Sequence, residues 1–151
     1  MKIVSGGQTG VDRAGLDAAL ESGIECGGWC PEDREAEDGV IPEKYPIKVL
    51  PGAGYRQRTK KNVLDSNGTI IIYFGSPTGG TELTITFCIK EHKPYVLIDA
   101  EEINIDRAAQ KILEFAKDKN ILNVAGPRAG GEPRAYNYAK SVMMLVLESI
   151  K

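Results

Sequence analysis

The sequence predicts a Rossmann-like α/β fold, a doubly wound and mainly parallel sheet with helices on both faces. Short apolar runs rich in Ile and Val recur at Lys2 to Ser5, Ile24 to Gly28, Ile47 to Leu50, Thr69 to Phe74, Tyr95 to Asp99 and Ile121 to Ala125. Continuous runs of this kind suit strands buried on both faces, as in a parallel sheet covered by helices. Helix-period segments lie between them, and Gly-rich links lead from strand to helix, the alternation that builds an open α/β sheet. A chain of 151 residues, 42% of them hydrophobic, can bury one core and falls at the usual size of one domain, so residues 1–151 read as a single Rossmann-like domain.

In the first helical segment, Val11, Ala14, Gly15, Ala18 and Ala19 share one face, whose small side chains can press close to a sheet, and Ser22-Gly23 supplies the stop. The stretch Leu83 to Ile89 alternates apolar residues with Thr84, Thr86 and Cys88, which is strand period. It nevertheless joins two strands that a parallel sheet must connect by a crossover, so a helix is expected there. A further helix is expected from about Asp106 to Lys119, on a stripe of Ala108, Ile112, Phe115 and Ala116. The last helix is expected to open with Pro133, which lacks the N–H that a first turn leaves unpaired. Its middle is apolar nearly all round, with Met143, Met144, Leu145 and Leu147 joining the stripe, which predicts deep burial or contact with another subunit. Between Cys30 and Arg58 the pattern is sparse, as expected of a functional lid.

Nineteen basic against twenty-one acidic residues, a net charge of −2, argue against a generic nucleic-acid binder. The longest apolar run, Met143 to Leu147, is far below the roughly 18 to 20 residues that span a bilayer. No leader pattern precedes the first strand, so a cytoplasmic protein with no membrane partner is expected. Three cysteines cannot all pair within the chain, and Cys26 and Cys30 read as small buried hydrophobes. With His92 the only histidine, a zinc set is too thin, and no metal ligands are assigned.

Chemistry concentrates in three loops. Ser5-Gly6-Gly7-Gln8-Thr9-Gly10 sits where unpaired N–H groups and a helix dipole favour an anion, although it lacks both the P-loop Lys and the G-x-G-x-x-G spacing. Gly75 to Thr81 repeats the context and offers the hydroxyls of Ser76, Thr78 and Thr81. Gly126 to Glu132 brings Arg128, whose guanidinium could clamp an anion, with Arg134 close behind. The acidic cluster Glu32, Asp33, Glu35, Glu37 and Asp38, and the basic one of Arg56, Arg58, Lys60 and Lys61, read as solvated charge runs.

Ser5-Gly6-Gly7-Gln8-Thr9-Gly10-Val11-Asp12-Arg13-Ala14 and Gly27-Gly28-Trp29-Cys30-Pro31, followed in order by Glu37 to Pro42, Tyr55 with Arg58-Thr59, Gly79-Gly80-Thr81 and Asn123 to Arg128, resemble the molybdenum carrier family over nearly the whole chain. That family is described as a circularly permuted relative of the lysine-decarboxylase-like, cytokinin-activating Rossmann-like group. The resemblance implies a nucleotide-like or pterin-phosphate ligand, with molybdenum cofactor as cargo held through its pterin and phosphate. The relatives' P-G-G-x-G-T-x-x-E pattern is only partly echoed, because Glu82 follows Thr81 directly.

Together these features lead us to expect a protein that binds a phosphate-bearing small molecule through Gly6, Gly7, Gln8, Thr9, Gly10, Asp12, Arg13, Arg58, Ser76, Gly79, Gly80, Thr81, Glu82 and Arg128. Asp12 and Arg13 are expected to orient the first loop. Two alternatives stay open. One is a nucleotide-processing hydrolase, N-glycosidase or phosphohydrolase, using Glu37, Asp38 or Glu82 as acid–base group. The other is an interaction module that forms a homo-oligomer through its last helix.

Overall fold

The structure, a computed structural model, describes residues 1–151. In chain order the elements are β1 (Lys2–Val4), α1 (Val11–Ser22), β2 (Glu25–Gly27), β3 (Trp29–Cys30), β4 (Glu35–Ala36), β5 (Gly39–Val40), β6 (Lys48–Val49), α2 (Tyr55–Leu64), β7 (Gly68–Tyr73), α3 (Gly79–Lys90), β8 (Tyr95–Asp99), α4 (Ile105–Ala116), β9 (Ile121–Ala125) and α5 (Ala135–Ile150). Five of the strands form one sheet in the order β2-β1-β9-β7-β8. Every pairing in it is parallel, with Ile3 beside both Cys26 and Leu122, and Ile71 beside both Ala125 and Leu97. The fold is therefore the expected Rossmann-like one. From β1 the chain steps outward to β2, and from β7 it steps the other way to β8. The last strand, β9, fills the place between β1 and β7, so the strand order reverses there, where open α/β sheets collect ligands beyond their carboxyl ends.

Alternating side chains of the central strands fill two unequal cores. Ile70 and Ile72 join Ile3, Leu122 and Val124 in the large core with α1, α4 and α5, whereas Ile71 points the other way, to Val63, Phe87 and Cys88 of α2 and α3. The small face of α1 permits a close approach: a Cβ on Gly15 would stand 3.0 Å from Val124. Gly23 ends that helix in the left-handed conformation.

The Leu83 to Ile89 stretch is helical, as the crossover requires. Its threonines suit a helix because the Thr84 and Thr86 hydroxyls donate to the carbonyls of Gly80 and Glu82, one turn back. Four expectations need correction. Ile47 to Leu50 contributes nothing to the central sheet: only Lys48–Val49 is strand, pairing with Trp29–Cys30 in a separate ribbon, because Pro46 and Pro51 leave too short a run. The basic run after Gly54 is the helix α2, not a solvated loop. Pro133 lies in the turn before α5, where the Ala135 N–H donates to Glu132 O. The expected Asp106 to Lys119 helix begins at Ile105, capped by the Asn104 side chain, and ends at Ala116.

Candidate functional site

A cleft of about 450 Å³ opens at the carboxyl ends of β1, β9 and β7, lined on three sides by the strand-to-helix links and on the fourth by α2. Gly6, Gln8 and Asp12 line it from the first link, and Thr78 to Thr81 and Thr84 from the second. Asn123 to Arg128 and Gly131 form the third side; Tyr55, Arg58, Thr59 and Asn62 form the fourth. The lining is strongly polar.

The first loop is organised differently from what its glycines suggest. Four of its N–H groups are bonded internally: Gly7 donates to Ser5 Oγ (3.3 Å), Gln8 to Asp12 Oδ2 (3.4 Å), Thr9 to Gln8 Oε1 (3.0 Å) and Val11 to Pro127 O (3.2 Å), while those of Gly6 and Gly10 donate to no protein acceptor. Arg13 turns away from the cleft, donating to Gly7 O from Nε and Nη2 and to the Asp38 carboxylate at 2.6 and 3.1 Å. Gly10 has φ 80°, and a Cβ there would overlap Pro127 O. Gly7, Thr9, Gly10 and Arg13 thus form the scaffold behind the cleft wall and do not line it. Both Asp12 and Arg13, expected to orient the first loop, are hydrogen-bonded to it.

The second loop keeps its donors free. The Thr78 side chain makes no capping bond, and Thr81 and Glu82 N–H both turn back to Thr78 O, at 3.1 and 3.4 Å. Gly79 and Gly80 N–H donate to no protein acceptor, so the start of α3 presents open donors and the positive end of its dipole to the cleft. Ser76 and Glu82 are exposed and stand outside the lining, because the turn into α3 directs them to solvent.

Opposite these donors lies Arg58, only 7% exposed. Its guanidinium stacks 4.5 Å from the Tyr55 ring centroid and reaches Asp12 Oδ2 at 3.4 Å through Nη1, while Nε is buried with no hydrogen-bond partner. Two glycines are required by this packing, since a Cβ on Gly6 would overlap Arg58 Nη1 and one on Gly80 would overlap Tyr55 Oη. Arg128 is more open, and its Nε lies 3.4 Å from Glu37 Oε2. Glu37 also accepts from the Thr9 hydroxyl and from Gly130 N–H, tying the acidic segment to the first and third loops.

Tyr55, Thr59, Asn62, Thr84 and Asn123 line the cleft without having been singled out as site residues. Helical spacing was the available signal, since Thr59, Asn62 and Val63 recur at i, i+3 and i+4 amid the charges. The segment expected as a lid is bonded to the body through Tyr45 and Asp38 and within itself through Arg34. Tyr45 Oη donates to Asp17 Oδ1 (2.6 Å), Arg34 donates to the carbonyls of Ile41, Pro42 and Ile47, and Asp38 is paired with Arg13.

A family model described as the circularly permutated YpsA SLOG family matches residues 3–147. The chain belongs to that family. A solved structure similar to this SLOG-family chain is that of a "putative molybdenum carrier protein" from Syntrophus aciditrophicus SB, 44% identical, covering 97% of this chain and 94% of its own, with a TM-score of 0.93. The resemblance seen in the motifs stands. No curated protein matches the chain.

Within this SLOG-family cleft the electrostatics are set by few groups. Burial pushes the Asp12 carboxyl above its ordinary value, against the pull of Arg58 and of the Gln8 N–H. Asp38 is held below the usual range by Arg13, and Glu37 by the Thr9 hydroxyl and Gly130 N–H. Burial also raises the thiols of Cys26, Cys30 and Cys88, which keeps them protonated and poor ligands. No three His, Cys, Asp or Glu side chains are grouped so as to hold a metal ion, and no helix is long and apolar enough to cross a membrane.

Proposed function

We propose that this protein binds a phosphate-bearing small molecule in the cleft, with the phosphate at the start of α3 between Gly79, Gly80 and Arg58. One observation carries this reading: a buried guanidinium whose Nε has no partner faces a cleft into which an uncapped helix start directs free N–H groups. Leaving a buried donor unsatisfied is unfavourable by roughly 1–3 kcal/mol, and an anion's oxygen removes that penalty. Thr78 and Thr81 hydroxyls add donors at the rim. Arg128, paired with Glu37, lines the same cleft at its third side.

Molybdenum cofactor is a cargo compatible with the neighbour's description as a molybdenum carrier. The cleft suits its phosphate, and the polar walls of Asn62, Asn123 and Gln8 suit the donors and acceptors of a pterin. Holding it by the organic part is consistent with the lack of a grouped metal-ligand set. Nucleotides share the same phosphate chemistry.

The test is thermal stability against orthophosphate, nucleoside monophosphates and molybdenum cofactor, because a ligand of the folded state raises the apparent Tm. We expect a rise with phosphate-bearing ligands in the wild type and none in Arg58→Gln. A chain that shifts with none of them is not a phosphate binder.

A further inference from the structure

We propose that Asp12 is a proton-linked specificity residue of this cleft, taking up one proton when an anion enters beside Arg58. The inference deepens the anion reading above and rests on it. Asp12 is the one acidic side chain in the lining and is only 6% exposed. Its carboxylate is thinly held. Oδ2 accepts from Gln8 N–H and from Arg58 Nη1, each at the long distance of 3.4 Å, and Oδ1 accepts nothing from the protein.

One carboxylate and one guanidinium make a balanced pair while the cleft holds no anion. An anion that pairs with the Arg58 guanidinium and the α3 N–H groups sets its charge beside the Asp12 carboxylate, where little water screens the repulsion. Other groups around Asp12 cannot relieve it. Arg13, its neighbour on α1, is committed to Asp38 and Gly7 O. Tyr55 and Arg58 face it from α2, and burial raises the Tyr55 phenol, which therefore stays neutral. The ends of β1 and β9 present only the neutral Ser5 and Asn123, while Arg128, on the third link, is tied to Glu37. Protonation of Asp12 removes the repulsion and turns the carboxylate into an O–H donor. Burial already moves its carboxyl in that direction.

Affinity for an anion should therefore rise as pH falls, by up to about tenfold per pH unit across the window in which Asp12 is ionised without ligand and protonated with it. The probe is sulfate, which itself takes up no proton between about pH 4 and 8. Calorimetric titration of the full chain with sulfate, in buffers of different ionisation enthalpy, counts the protons exchanged.

We expect uptake approaching one proton in the wild type within that window, falling away on either side of it. In Asp12→Asn we expect tighter sulfate binding at neutral pH, no uptake and a flat pH profile. As a measurement that needs no variant, the Asp12 carboxyl resonance should titrate at least about one pH unit higher with saturating sulfate than without it. Sulfate binding without proton exchange, or exchange retained in Asp12→Asn, overturns the linkage while leaving the anion site standing. Failure of sulfate and phosphate alike to bind at any pH overturns the anion reading itself and the linkage with it.

Discussion

At the scale of single residues, the cleft depends on what glycine omits as much as on what the charged side chains supply. Gly6 matters less for backbone freedom than because Arg58 occupies the space a side chain would need. Gly6→Ala should displace the guanidinium and destabilise the fold by roughly 1–3 kcal/mol in urea unfolding, the usual range for forcing atoms into a packed site. It should also lose the phosphate-dependent rise in Tm. Gly131→Ala is the matched control: its nearest obstacle, Arg128 O, is 3.7 Å away, so stability should stay within about 0.5 kcal/mol of wild type. The motif drew attention to Gly6 and Gly7 alike. Conformation and packing separate them, since Gly7 has φ 77° and stands over Ile41 and Ile47, whereas Gly6 stands over Arg58.

At the scale of elements, α5 and α2 show how far local pattern reaches. The apolar circumference of α5 predicted either deep burial or a subunit contact; one side of the helix packs against both α1 and α4, while Leu145 stays exposed. Met143, fully buried there, should be destabilising by about 2–5 kcal/mol when changed to Ala, whereas Leu145→Ser at an exposed position should change the urea midpoint little. For α2 the pattern was masked. Arg56, Lys60 and Lys61 look like a solvated run, and helix propensity alone does not reveal that Arg58, Thr59 and Asn62 turn inward. Inward orientation was decided by the partners, among them Trp29, whose backbone N–H and carbonyl are both bonded to the Asn62 side chain.

At the scale of the whole molecule, the acidic segment and α1 are held together by charge pairs whose pH dependence is readable. Asp38 has a folded value below its ordinary 3.8, so its pairing with Arg13 contributes stability above that value, and the contribution is lost as pH falls through the folded value. Asp12 acts with the opposite sign, because its raised carboxyl disfavours the fold once pH rises through its folded value. In Asp38→Asn the urea midpoint should therefore lie below wild type at neutral pH and converge with it as pH falls through the folded value of Asp38. Parallel loss in both proteins down to that pH would mean that the pair contributes nothing.

The order of buried strands and amphipathic helices was determined by the sequence itself, because apolar period and Gly-rich punctuation are local properties of the chain. That order also required a crossover at Leu83 to Ile89, against its strand-like alternation. Which loop keeps its donors free was decided only in three dimensions. The first and second links are both rich in glycine and hydroxyl groups. Yet Ser5, Asp12, Gln8 and Pro127 accept from four N–H groups of the first, leaving those of Gly6 and Gly10, whereas no side chain caps the second. Hydrogen-bond satisfaction depends on partners from distant parts of the chain. Pro127 closes α1 from the far end of the sequence, and Arg58 is brought to Gly6 by a helix hidden in a run of charge.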